Sequence, residues 1–171
     1  MGFVVYQNIY FSTFTIHRWQ NLFQEEANVE IILEAFNFLS NNHRWILFAF
    51  VIMPNHIHVF YQVLEPHFNE NIKHSFLSYT AKKIIHQLPL VHKSGFFVNK
   101  SDRKFQIWKS PSLSVEITSP KFVEQKLDYI HDNPRRAGLV DDNKDFKYCS
   151  YASYDKGESM FSFLSLWEIG Y

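Results

Sequence analysis

The sequence predicts an α+β sandwich, a mostly antiparallel sheet with helices packed on it. Three observations carry that reading. The apolar pattern switches between strand and helix period in the order strand, helix, hairpin, helix, short strands, helix. Two β-rich runs are separated only by Pro54-Asn55. Five Gly and six Pro are spread thinly, without a linker or repeat.

The first strand candidate is Ile9 to Ile16, where Phe11, Thr13 and Thr15 alternate with Tyr10, Ser12, Phe14 and Ile16. A helix from about Ala27 to Ser40 follows, with Val29, Ile32, Leu33 and Phe36 at helical spacing and Ser40-Asn41-Asn42 as its stop. Ile46 to Met53 is a continuous apolar strand, and His56 to Val63 returns beside it across the Pro54-Asn55 turn. A second helix spans about Asn69 to Gln87. Ile72, Phe76, Thr80, Ile84 and Leu88 mark its buried side, and Lys73, Lys82, Lys83 and His86 the other. Between Pro89 and Pro120 the pattern is irregular, with Phe105 to Trp108 and Leu113 to Ile117 as short strand candidates. Ser119 is a good N-cap and Pro120 suits the first position of a third helix. Its apolar stripe is Val123, Leu127 and Ile130, and Pro134 is expected to end it near Asn133.

With 171 residues the expectation is one domain, 1–171, with a core over about 9–154 and a C-terminal extension over 155–171. A chain of this size buries enough surface to stand without disulfides. Its single cysteine, Cys149, excludes an internal disulfide and suits a reducing compartment. Met1-Gly2-Phe3-Val4-Val5 has no basic region ahead of its apolar residues, so no secretory signal is expected. The longest apolar run, Trp45 to Met53, is short of the roughly 20 residues of a membrane helix. A cytoplasmic protein without a membrane partner is expected.

Net charge is zero, but it is unevenly placed. Residues 1–70 hold 2 basic and 6 acidic side chains, residues 71–136 hold 12 and 5, and residues 137–171 hold 3 and 6. A basic middle third is either a solvated face or the footprint of a polyanion.

The chemistry-bearing residues are few. On a strand, His56 and His58 point to one face, so two imidazoles stand side by side. They are two thirds of a facial metal site, or two ordinary half-buried histidines. On a helix, Tyr129 and Asn133 share a stripe with Phe122 and Lys126, beside the apolar one. Tyr129 is either a phenol reaching a groove or a boundary aromatic, and Asn133 either a ligand or a helix-terminal residue before proline.

Two longer segments decide among these. Val51-Ile52-Met53-Pro54-Asn55-His56-Ile57-His58-Val59 resembles the signature of the HUH-type single-tyrosine transposases, the insertion-sequence-200-like enzymes and their REP-associated relatives. Leu127-Asp128-Tyr129-Ile130-His131-Asp132-Asn133-Pro134-Arg135-Arg136-Ala137-Gly138-Leu139-Val140 resembles the second signature of the REP-associated branch. Phe105-Gln106-Ile107-Trp108 between them is similar to that branch's aromatic-Gln-x-Trp stretch. Tyr148-Cys149-Ser150-Tyr151 after them is similar to its small-residue stretch, with Cys149 where serine is expected.

The resemblance implies a ferredoxin-like or palm-like sandwich with the HUH motif on a central strand. It implies that His56, His58 and Asn133 hold a divalent metal, Mg²⁺ or Mn²⁺, beside the scissile phosphate. It implies that Tyr129 is the nucleophile, attacking phosphorus to give a 5′-phosphotyrosine and a free 3′-hydroxyl. A free phenol ionises near pH ~10, so such a nucleophile needs activation. Gln125, one turn earlier, is a candidate to orient the phenol. The implied partner is single-stranded or hairpin DNA, and the implied state a monomer or a homodimer.

Candidate phosphate contacts are Lys82, Lys83, Arg103, Lys104, Lys109, Arg135 and Arg136, with Lys93 and Lys100 behind them. Phe96, Phe97, Phe105 and Trp108 are either stacking platforms or core rings. His131 points away from Tyr129 on a helix and is left out of the metal set, though it remains a candidate DNA contact. Two other readings stay open. One is a metal-dependent hydrolase using water in place of tyrosine. The other is a catalytically silent, domesticated relative that only binds hairpin DNA.

Overall fold

The strand Trp45–Met53 is apolar on both faces because both faces are covered. In the computed structural model, which describes residues 7–168, the elements in order are β1 (Ile9–Thr15), α1 (Glu26–Asn41), β2 (Trp45–Met53), β3 (His56–Val63), α2 (Asn69–Gln87), α3 (Leu90–Lys93), β4 (Leu113–Glu116), α4 (Pro120–Arg136) and α5 (Tyr151–Lys156). Residues 1–6 and 169–171, including the N-terminal stretch inspected for a signal, lie outside the described residues. The four strands form one antiparallel sheet in the order β2-β3-β1-β4, so β3 and β1 are interior. This is the α+β sandwich that the pattern predicts, with the His-x-His strand central.

Strand alternation divides the side chains between two cores. Phe14, Leu47, Phe50, Ile52, Ile57, Val59 and Tyr61 pack with α1 and α2 on one face. Phe11, Val51, Met53 and Phe60 pack with Val123, Leu127 and Ile130 of α4 on the other. Rings fill the first core: Phe36 meets Trp45, Phe50, Phe76 and Phe163 at centroid distances of 5.5–5.9 Å. Within this face Ser12, Tyr61, Asn69 and Ser114 close a ring of hydrogen bonds of 2.7–3.1 Å, so the buried phenol is fully served.

Three expectations are corrected. Phe105 to Trp108 is not a strand; it makes isolated bridges, Phe97 to Phe105 and Ile16 to Trp108. Its polar side chains are satisfied instead by Gln106 Nε2 donating to the Trp108 carbonyl and Trp108 Nε1 donating to Thr80 Oγ1 on α2. Lys73 lies on the covered side of α2, its ammonium 2.7 Å from Glu70. Its long apolar stem explains how a lysine is accommodated there. The C-terminal extension, residues 155–171, is tied to the core: Phe163 and Leu164 are buried, Phe161 packs on Phe50, and the Ser165 N–H donates to the Leu47 carbonyl. Finally, α4 does not stop near Asn133.

The reason α4 continues lies in how its carbonyls are satisfied. Ser119 caps the start, its Oγ accepting from the Phe122 N–H at 3.3 Å. Pro134 removes the N–H that would have reached the Ile130 carbonyl. The Cys149 thiol sits 4.0 Å from that oxygen as a weak substitute donor. The helix then ends in a Schellman turn: Leu139 N–H donates to the Pro134 carbonyl, Gly138 N–H to that of Arg135, and Gly138 takes φ +70°.

Two outcomes are expected. Phe163→Ala should cost about 3–5 kcal/mol of stability, the range for deleting a buried phenyl ring, and a chemical-denaturation midpoint within error of the parent would show that the extension is dispensable. Burial pushes the Cys149 thiol up to about 12. Ellman's reagent at pH 8 should therefore label the native chain far more slowly than the urea-unfolded one.

Candidate functional site

β3 lies between β1 and β2, pairing Thr13 with His58 and Val51 with His58 across its two edges. That register turns His56 and His58 toward α4 and sends Ile57 and Val59 into the α1–α2 core. The two imidazoles lie 4.8 Å apart, centroid to centroid. Tyr129 on α4 sets its ring 5.0 Å from that of His58 at 72°, and Phe11 stacks on His58 at 5.4 Å. Tyr129 is 37% exposed, at the edge of the buried stripe as its spacing requires.

Each histidine has one nitrogen engaged. Thr13 Oγ1 is 2.8 Å from His58 Nδ1, and Asn55 Oδ1 is 2.8 Å from His56 Nδ1. His58 Nε2 is buried and has no hydrogen-bond partner among the described residues. Burial, with the nearby His56 and Lys126 charges, pushes His58 down to about 3. Burial lowers His56 as well. Both rings are therefore neutral near pH 7, which is the state that can donate a lone pair to a cation. An orphaned buried nitrogen beside a second neutral imidazole is what an incoming ligand would satisfy. Among the described residues there is no cluster of three His, Cys, Asp or Glu, so a third protein donor must be of another type. Asn133 qualifies by chemistry; it is half-buried one turn beyond Tyr129 on α4.

Cations surround the phenol. Lys126 Nζ lies over the rings of Phe11, Phe122 and Tyr129 at 4.5, 5.2 and 5.7 Å. The Arg136 guanidinium lies 5.8 Å over Tyr129. Each contact is worth about 0.5–1 kcal/mol where water has access. Both residues line a cavity of about 540 Å³ together with Gln125, Tyr129 and His131. His131 is used structurally. Its Nε2 is 2.9 Å from Ser150 Oγ, its ring packs on Tyr154, and burial pushes it down to about 4.

The candidate DNA contacts separate into different places. Lys82, Arg103 and Lys109 line a groove of about 690 Å³ between α2 and the 102–112 segment. Arg103 and Arg135 are held by Asp102 and Asp132. Lys83 lies over Tyr79 on α2, and Lys104 is exposed. Of the rings proposed for stacking, Phe96 and Trp108 are core, whereas Phe97 is exposed. Sequence reasoning missed Thr13 and Asn55. Their signal was present: Asn55 directly precedes His56, and Thr13 faces His58 once the strands are paired in register.

Comparison with known proteins fits this arrangement. No protein-family model matches the chain. A Haemophilus influenzae protein assigned as a REP-associated tyrosine transposase is 32% identical over 113 residues, which cover 64% of this chain and 61% of that protein. The resemblance is to the REP-associated tyrosine transposases. This chain spans about three fifths of that transposase's length. A solved REP-associated tyrosine transposase, bound to a REP hairpin, superposes with a TM-score of 0.65 at 16% identity, covering 100% of this chain and 92% of the other. A Deinococcus radiodurans protein assigned as a transposase gives a TM-score of 0.51 at 14% identity over 77% of this chain and 95% of the other. At these identities the superpositions establish the transposase-like fold.

Thr13→Val tests the orientation of His58. Long-range ¹H–¹⁵N NMR should find the Nδ1-protonated tautomer in the parent and a mixture in the variant. An unchanged tautomer would mean that Thr13 does not set it.

Proposed function

We propose that this chain cuts and rejoins single-stranded or hairpin DNA through a covalent 5′-phosphotyrosine on Tyr129, with a divalent metal, Mg²⁺ or Mn²⁺, at His56 and His58. The observation that carries the reading is the Tyr129 phenol ring beside His58, whose buried Nε2 has no partner among the described residues. The likeness to REP-associated tyrosine transposases, one of them solved on a REP hairpin, supports the choice of DNA.

The two Nε2 atoms and the Asn133 amide oxygen would hold the ion. When bound, it supplies Lewis-acid polarisation of the scissile phosphate and offsets charge on the non-bridging oxygens. Thr13 and Asn55 each engage one Nδ1, which leaves the Nε2 of each ring as the nitrogen that would face the ion. Tyr129 Oη forms a bond to phosphorus and loses its proton to solvent. The bond from phosphorus to the 3′ oxygen breaks, and that oxygen leaves as a hydroxyl after taking up a proton. Lys126 and Arg136 flank the phenol with positive charge, where phosphate charge accumulates. The phosphotyrosine keeps the energy of the phosphodiester, so the reverse attack by a 3′-hydroxyl rejoins strands without a nucleotide cofactor. Tyrosine and histidines come from the same chain, so the arrangement does not require a partner's helix.

The test is incubation with end-labelled single-stranded DNA from the flanks of the chain's own gene, with Mg²⁺ or Mn²⁺. A protein–DNA adduct resistant to SDS should form. It should vanish with Tyr129→Phe and with chelator, and fall at least 100-fold with His56→Ala or His58→Ala. Continued cutting by Tyr129→Phe, without an adduct, would assign the nucleophile to water. Binding without cutting in the parent would leave a silent hairpin-binding protein.

A further inference from the structure

Beside the two histidines stands a tryptophan whose placement the fold does not need for packing. Trp19 closes the short turn His17–Trp19 after β1 and is 55% exposed, whereas Trp45 and Trp108 are buried in the core. Its backbone is unusual. Arg18 and Trp19 take φ values of +58° and +56°, a left-handed conformation that neither side chain favours. Consecutive left-handed non-glycine residues persist only where the surroundings hold them.

Here the surroundings are the turn of the His-x-His hairpin. The Ile16 N–H donates to the Asn55 carbonyl, the Phe23 N–H to that of Pro54, and the Trp19 N–H to that of Ile16, each at 2.9 Å. The Asn55 side chain joins the two places directly. Its Oδ1 meets His56 Nδ1 at 2.8 Å while its Nδ2 reaches the Trp19 carbonyl at 3.5 Å. The indole consequently stands edge-on to His56, centroids 6.3 Å apart. Lys109 places its ammonium over the indole ring, 5.3 Å from its centroid. Lys109 is itself fixed, its N–H donating to the Thr15 carbonyl at 2.7 Å, and it lines the groove that holds Lys82 and Arg103. The exposed indole thus lies between His56 and a lysine of the basic groove.

We infer that Trp19 is a stacking platform for an unpaired nucleobase flanking the scissile phosphate, with Lys109 taking the adjacent backbone phosphate. A flat ring, a cation and a phosphate-handling site in sequence match one nucleotide of a single strand and its link to the next. Every base has a π-face, so this contact positions the strand without reading its sequence. It also requires the nucleotide to be out of a duplex, which restricts cleavage to single-stranded flanks. The inference rests on the nucleic-acid reading above and concerns the same site.

Equilibrium binding in the non-cleaving Tyr129→Phe protein tests it. The probe is a fluorescent hairpin with a single-stranded flank from the chain's own gene, at one fixed salt concentration. Adding Trp19→Ala should weaken binding by roughly 5- to 150-fold, the worth of one stacked base, while Trp19→Phe keeps most of the affinity. Intrinsic tryptophan fluorescence should be quenched by the DNA, and the quench should be lost in Trp19→Phe. Walking an abasic site along the flank should find one position next to the cleavage point that weakens binding as Trp19→Ala does, without adding to it. Trp19→Gly, which suits the left-handed backbone, should bind as poorly as alanine while melting no lower than the parent. Equal affinity of Trp19→Ala and parent, or additive losses at every abasic position, overturns the platform while leaving the transposase reading standing. No binding by Tyr129→Phe with Trp19 intact overturns both.

Discussion

The site depends on the register of β3. His56 and His58 face α4 because Thr13 pairs with His58 on one edge and Val51 on the other. A slip of one residue would present Ile57 to α4 and bury imidazoles among the phenylalanines of the α1–α2 core. That alternative would strand polar nitrogens in an apolar interior, at a cost of several kcal/mol. The hydrophobic pattern of an ordinary core therefore also aims the two candidate site histidines. The two-residue turn at Pro54-Asn55 leaves no slack through which the register could drift.

Much of this was legible in the residues. The hairpin, the α2 bounds and the Ser119 cap follow from period and turn chemistry, which act over a few residues. Strand and helix periods grouped His56 with His58 and Tyr129 with Asn133, but what singled them out was the resemblance of the two longer segments around them. What stayed hidden depends on tertiary contacts. Nothing local tells that Trp108 hydrogen-bonds Thr80, or that Phe161 and Phe163 return to fill space beside Phe36 and Phe50. The end of α4 was misplaced for a related reason. Pro134 is a helix stop when its orphaned carbonyl has no partner, and here Cys149, from a segment nineteen residues away from Ile130, lies against it. The seven basic candidates lie close along the chain, yet the fold separates them: Lys82, Arg103 and Lys109 line a groove on the α2 side, Arg136 lines the Tyr129 cavity, and Lys83, Lys104 and Arg135 line neither.

The surroundings of the two histidines show a division of labour between rigid and exposed parts. Thr13, Phe11 and His58 sit on paired strands whose positions are set by ladders on both sides. Tyr129, Lys126 and Arg136 come from a helix that buries Val123, Leu127 and Ile130 and leaves its other stripe open. Sites built on regular elements hold their geometry better than sites on loops. Here the phenol can face water without losing its position, because the helix beneath it is anchored by its apolar side.

One consequence concerns genetics. Phenol and imidazoles belong to a single folded polypeptide, with their rings in contact across α4 and β3. On the proposed function, two molecules each crippled at a different one of these positions would not pool their intact halves into a working centre. Co-expressing such a pair would then give no rescue unless the molecules traded whole helices, so complementation would report an exchanged dimer directly.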